Sequence, residues 1–188
     1  SPGTTRTMVE SIPQGIMVRR NGKIKAVGLG FEMRMIDFGL GPKRSTVLTW
    51  GDLYTAYWQT RIPNITVYMP LRGSQLRLLL FPLIKLLMSM PFVQKRAMEK
   101  AGKIAGPSAE SRAKNSAYVW GEAKNASGKT VAATIEVSNG YTVTMDGILM
   151  TADFLRSYQG DGGCFTPSQL MGAELAEQLP GAGKFTLR

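Results

Sequence analysis

The side chains able to do chemistry are few. The chain has no histidine. That removes the commonest general base and the commonest metal ligand, and with them a Ser-His-Asp triad or a histidine zinc site. Cys164 is the one cysteine, so neither an internal disulfide nor a cysteine metal cluster can form, and a reducing compartment fits. No metal site is expected. Acid–base work would fall to Glu10, Asp37, Asp52, Glu122, Asp146 or Asp153. Asp52 has the most suggestive setting, in Trp50-Gly51-Asp52-Leu53-Tyr54 just before Tyr57 and Trp58. Aromatic rings around a carboxyl group desolvate it and favour its neutral form. The ordinary role for an aspartate at such a place is a helix cap. Tyr54 and Trp58, four apart, share a helix face. Trp50, Tyr54, Tyr57 and Trp58 with Arg61 could line a ligand pocket or belong to a core.

Glycine pairs invite a phosphate reading. Gly28-Leu29-Gly30 and Gly39-Leu40-Gly41 both lack the third glycine of a dinucleotide fingerprint, and neither leads into a helix pattern. A pyrophosphate cradle needs a strand before and a helix N-terminus after, so turns are expected at both. Gly128-Lys129-Thr130 lacks the upstream glycine of a P-loop and begins a strand pattern instead.

The charges are 23 basic against 13 acidic, a net of +10. Such an excess suits an anionic partner or simply a basic soluble protein. It is concentrated between Arg72 and Lys103. There Arg72, Arg77, Lys85, Lys95, Arg96, Lys100 and Lys103 face a single acid, Glu99. The same stretch is crowded with leucines and interrupted by Pro82 and Pro91, which break or kink a helix. The uninterrupted apolar run falls short of the ~20 residues of a membrane span. Two readings stay open: a core or dimer helix, and a helix on a membrane surface or beside an acyl pocket with cations toward phosphates. Nucleic acid is disfavoured, because exposed aromatics are not interleaved with the basic residues.

The elements that must position these groups follow from turn signals and periodicity. Thr4 to Gln14 reads as a short helix stopped at Pro13-Gln14-Gly15. Residues 16–20 and 23–27 form a hairpin across Asn21-Gly22. Strands are expected over 32–37, 45–49 and 65–69, with a short helix from Trp50-Gly51-Asp52 to Trp58 between the last two. Gly106-Pro107-Ser108 to Ser111 reads as a loop. Residues 116–124 and 130–137 form a second hairpin across Asn125–Gly128. A helix follows over 141–157, and a last one runs from Thr166-Pro167 to Leu179. Strand-rich order without regular βαβ alternation predicts an α+β fold. Its sheet is largely antiparallel or mixed, built from hairpins with helices on one face, and the chain holds no Rossmann domain. The length fits a single domain over 1–188, with 72–114 as an apolar, then basic helical insertion with a flexible loop. Ser1-Pro2-Gly3 opens without a basic or apolar leader. The expectation is a piece of a longer, cytoplasmic protein, peripheral to membrane if the basic segment touches lipid.

Taken in order, several short motifs resemble the second domain of saccharopine dehydrogenase-like oxidoreductases, including the trans-acting enoyl reductase branch. They are Ser1-Pro2-Gly3-Thr4-Thr5-Arg6-Thr7-Met8-Val9-Glu10, Val18-Arg19-Arg20-Asn21-Gly22-Lys23, Ile36-Asp37-Phe38-Gly39 with Gly41-Pro42, and Trp50-Gly51-Asp52. Further along come Ile62 to Tyr68, Gly106-Pro107-Ser108, Val119 to Ala123, Gly140 to Thr144 and Phe165-Thr166-Pro167. The resemblance implies a two-domain NAD(P)-linked enzyme whose Rossmann domain precedes this region. This region then supplies the substrate side, with lipid-linked or acyl substrates in some members, and the sheet of a homodimer. It has no cofactor site of its own and is inactive alone. Thr7, Glu10, Trp50, Asp52, Tyr57 and Arg61 are the expected substrate-facing residues, with no catalytic residue assigned. The alternative is a non-catalytic lipid- or membrane-surface module using Arg77, Lys85, Lys95, Arg96, Lys100 and Lys103.

Overall fold

The computed structural model describes residues 2–71 and 76–188, and for Met8 and residues 76–79 it describes the backbone. Contacts divide the chain into two compact units: residues up to 35 with 43–107, and 36–42 with 108–188. The class is α+β. The strands form three small sheets rather than one, with orders β1-β2, β3-β4-β5 and β6-β7-β8.

In the first unit, α1 (Pro2–Ser11) runs into a 3-10 turn at Ile12–Gln14. β1 (Ile16–Arg20) and β2 (Lys23–Val27) pair antiparallel from Ile16↔Val27 to Arg20↔Lys23. Asn21 and Gly22 take φ of 51° and 75°, the left-handed pair that matches strand twist in a two-residue hairpin. β3 is Met33–Asp37, of which Ile36 and Asp37 count with the second unit, β4 is Pro42–Val47, of which Pro42 does, and α2 spans Asp52–Thr60. The strand expected at 65–69 is divided between two partners. Ile65 exchanges both backbone hydrogen bonds with Arg19 at 3.0 and 3.1 Å, while β5 (Tyr68–Pro70) pairs antiparallel with Ser45–Val47. Ile16, Val18 and Val47 form the buried centre, with Val27, Leu29, Leu48 and Tyr68 packed around it. α3 (Leu76–Met88) contains Pro82 within the helix, and α4 (Pro91–Gly102) uses Pro91 at its first turn. So Pro82 is accommodated, whereas Pro91 starts a new helix where its missing N–H costs nothing. α4 packs on α1, and α3 on α4 and the 3-10 turn.

In the second unit, β6 (Ala117–Lys124) and β7 (Thr130–Val137) pair along their whole length. A short strand that the sequence reading missed, β8 (Thr186–Leu187), joins β7 at Ala133 and Thr134. Two helical expectations are corrected. The loop at 106–111 is partly a helix, α5 (Ala109–Lys114), because the Ser108 side chain accepts the Ser111 N–H at 3.1 Å, an N-cap signal. The last helix does not reach Leu179 unbroken. After α6 (Gly140–Ser157), α7 (Pro167–Met171) starts with a Thr166–Gln169 capping box and stops at Gly172, whose φ is 87°; α8 (Leu175–Gln178) follows. A left-handed glycine ends a helix because other residues resist that conformation.

Two carboxylates tie down the C-terminal segment. Asp37 accepts from the backbone N–H of Gly39 (2.8 Å) and Gly41 (2.9 Å) and from Arg188 (2.9 Å). Glu177 accepts from Phe185 N–H (2.7 Å) and Lys184 (3.0 Å). The Gly39 amide and then Arg188 hold Asp37 below its ordinary range, and the Phe185 amide and then Lys184 do so for Glu177. A depressed folded pKa contributes stability above the unfolded pKa, and that contribution is lost as pH falls through the folded value. Acidification through and below the ordinary carboxylate range should therefore release β8. It is read as faster hydrogen exchange at the Arg188 amide, which bonds Ala132 O at 2.8 Å. Asp37→Asn should produce a few-fold increase at neutral pH; unchanged exchange would remove Asp37 as a tether.

Candidate functional site

β1 sends Arg19 inward, where its side chain is only 5% exposed. Its Nε donates to Leu53 O at 2.8 Å and its Nη1 to Gly22 O at 2.6 Å. The guanidinium lies 4.0 Å from the Tyr57 ring centroid and 6.0 Å from that of Tyr54. No carboxylate among the described residues pairs with it. Aromatic faces and carbonyl oxygens hold the charge instead, which suits a planar, weakly hydrated guanidinium. Arg61 continues the cluster. It ends α2 in the left-handed conformation, with φ 58° and its N–H on Tyr57 O. Its guanidinium sits 4.6 Å from the Trp58 ring and 5.8 Å from Tyr57. Tyr57 and Trp58 meet edge to face at 6.1 Å.

Of the expected substrate-facing residues, the structure joins Tyr57 and Arg61. Trp50 is half-exposed before α2. Gly51 occupies the cap position and Asp52 is the first helical residue, exposed to solvent. The rings of Tyr54, Tyr57 and Trp58 turn toward arginines rather than enclosing that carboxylate. Thr7 and Glu10 are exposed on α1, where Thr7 Oγ1 donates to Gly3 O within its own helix. No described contact brings them to the cluster. Sequence reasoning missed Arg19, although its place among apolar β1 residues beside an Asn-Gly turn was a usable signal.

A second polar group lies beside the hairpin. Arg20 donates to Thr66 Oγ1 at 2.8 Å and approaches Glu32 at 3.8 Å. The Tyr68 hydroxyl donates to Glu32. Partial burial, then the bond to Glu32, pushes the Tyr68 hydroxyl up to about 12.

In the second unit an apolar groove of about 520 Å³ runs along α6, lined by Val143, Thr144, Gly147, Ile148, Thr151, Ala152, Leu155 and Pro167. Gly147 and Thr151, one turn apart, leave the space. This groove also escaped sequence reasoning, although small residues at that spacing were visible. None of its lining residues titrates near neutrality, so it can bind apolar groups but supplies no acid or base. Among the described residues no group of three His, Cys, Asp or Glu side chains converges, and no helix is long and apolar enough to cross a membrane.

No family model matches this chain, and no curated protein or solved structure matches it.

Arg19→Ala should lower unfolding stability by about 2–5 kcal/mol, since it removes two buried hydrogen bonds to carbonyls and the stacked cation. Arg19→Lys should recover less than half, because an ammonium cannot reproduce the fork. Both are read as urea midpoints at unchanged slope. Tyr68→Phe should cost about 1 kcal/mol by the same measurement, the bond being partly exposed. A raised folded pKa means that the Tyr68 contribution is complete below the unfolded value of 10.0 and is lost as pH rises through about 12.

Proposed function

We propose that this chain is the substrate-side and dimerising half of an NAD(P)-dependent oxidoreductase of the saccharopine dehydrogenase-like kind, and that it works against a separate nucleotide-binding domain. The observation that carries this reading is α6. It is 18 residues long, and none of its described residues is buried. Met145, Ile148, Leu149 and Leu155 are each about half or more exposed. An amphipathic helix of this length normally hides its apolar stripe, so α6 is suited to packing against another folded body. The order of short motifs along the chain supports the family, and the apolar groove suits lipid-linked or acyl groups.

The dinucleotide itself is not accommodated by these residues. Gly28-Leu29-Gly30 runs through a turn toward β3, closed by Phe31 N–H on Gly28 O at 3.1 Å, and Gly39-Leu40-Gly41 runs into β4. Neither opens a helix, which a pyrophosphate cradle requires. The nicotinamide would supply the hydride. This chain's contribution is to bind and orient the apolar part of the substrate and to exclude water from it, and no hydride step is assigned to its residues.

The test is to clone the natural reading frame upstream of Ser1 and follow NADPH fluorescence on the full gene product and on this chain. A strand–Gly-x-Gly-x-x-Gly–helix segment upstream, with NADPH binding by the full product alone, is the expected result. In the full product Met145→Glu with Leu149→Glu should expose α6 and abolish NADPH-linked turnover. An upstream frame without that segment, or NADPH binding by this chain alone, would overturn the reading.

A further inference from the structure

We infer that the α3–α4 hairpin is a docking surface for an anionic lipid membrane, independently of the function proposed above. Both helices are two-sided. α3 turns Phe81, Ile84, Lys85 and Met88 inward, at i, i+3, i+4 and i+7, and they are half-buried or buried. Its other side presents Leu80, Leu83, Leu86 and Leu87 to solvent, with Leu86 66% exposed. α4 turns Val93, Gln94, Ala97, Met98 and Ala101 inward, and packs on α1. Its exposed positions are Phe92, Lys95, Arg96, Glu99, Lys100 and Lys103, a single stripe at i, i+3, i+4, i+7, i+8 and i+11. Phe92 is 65% exposed and lies under the Arg96 guanidinium at 4.6 Å. Met90, between the helices, is exposed as well.

The result is an apolar tip followed directly by four cations and one acid. A helix that is apolar on both sides belongs inside something. The charge beside the tip selects what covers it. A second copy placed on the same face by two-fold symmetry would set cations against cations. An anionic bilayer answers both features. Leucines and Phe92 enter the headgroup boundary, and Lys95, Arg96, Lys100 and Lys103 meet lipid phosphates or carboxylates. Lys85 is not part of this face. Its ammonium lies against Gly15, 3.0 Å from where a Cβ would stand. Arg72 lies outside the described residues, as does the side chain of Arg77.

The experiment is flotation of the chain with vesicles of phosphatidylcholine alone, and with vesicles in which about a quarter of the lipid is phosphatidylserine. Binding is expected only to the second, falling as salt rises. Each cation neutralised should weaken it about fivefold, and reversing Lys95, Arg96 and Lys100 to Glu should weaken it at least on the order of a hundredfold. Leu86→Ser with Phe92→Ser should also release the chain while circular dichroism stays unchanged. No binding to anionic vesicles at low salt overturns the proposal, as does binding unaffected by either set of changes. A dimer dissolved by the Leu86 and Phe92 changes, without vesicle binding, overturns it too and assigns the face to a copy of the chain.

Discussion

A guanidinium group taken out of water must have its charge and donors compensated, and Arg19 imposes that demand on the first unit. Two backbone carbonyls and two tyrosine rings meet it. The carbonyls belong to the hairpin turn and to the start of α2, so one side chain fixes the helix against the hairpin. The backbone of the same residue pairs with Ile65, and Gly22 N–H is held by Pro63 O at 2.8 Å. Because the compensation is by dipoles and ring faces, its loss removes hydrogen bonds and stacking without releasing a counter-charge.

The second constraint is a shortage of cover. Among the described residues buried apolar side chains are few, and large apolar side chains stand exposed on α2, α3, α4 and α6 and at Val119 of β6 and Val131 of β7. Scattered exposure is ordinary, but rows of it along helices are not. The two richest rows differ in what accompanies them. Beside α6 there is an apolar groove without titratable lining, whereas the tip of α3 and α4 is followed by a run of cations. The first suits a folded partner, the second an anionic surface. Electrostatics separates two faces that hydrophobicity alone would treat alike.

Much of the fold was legible from local chemistry. Asn21-Gly22 and Asn125–Gly128 fixed two hairpins, because few residues tolerate the required φ. Thr166-Pro167 marked a helix start because proline's missing N–H and preset φ suit the first turn, whereas Pro91, read only as a break, begins α4 for that reason. The errors lie where a signal was weak or a partner distant. Ser108 capped a helix too short to show a period. Gly172 cut a helix that its apolar pattern would have carried through to Leu179. β8 exists because Ala133 and Thr134 of β7 present an open edge, which two residues near the C-terminus cannot announce.

The antiparallel hairpins, the concentration of charge between 72 and 103 and the lack of histidine chemistry follow from the residues alone. Turn conformations, net charge and side-chain inventory are properties of residues and their near neighbours. Tertiary structure decided that Arg19 is buried, that Asp52 is not, that Lys85 faces inward while Lys95 to Lys103 face out, and that a groove opens along α6. Each depends on groups far apart in the chain meeting at a few ångströms, and desolvation and pairing act only once they have met.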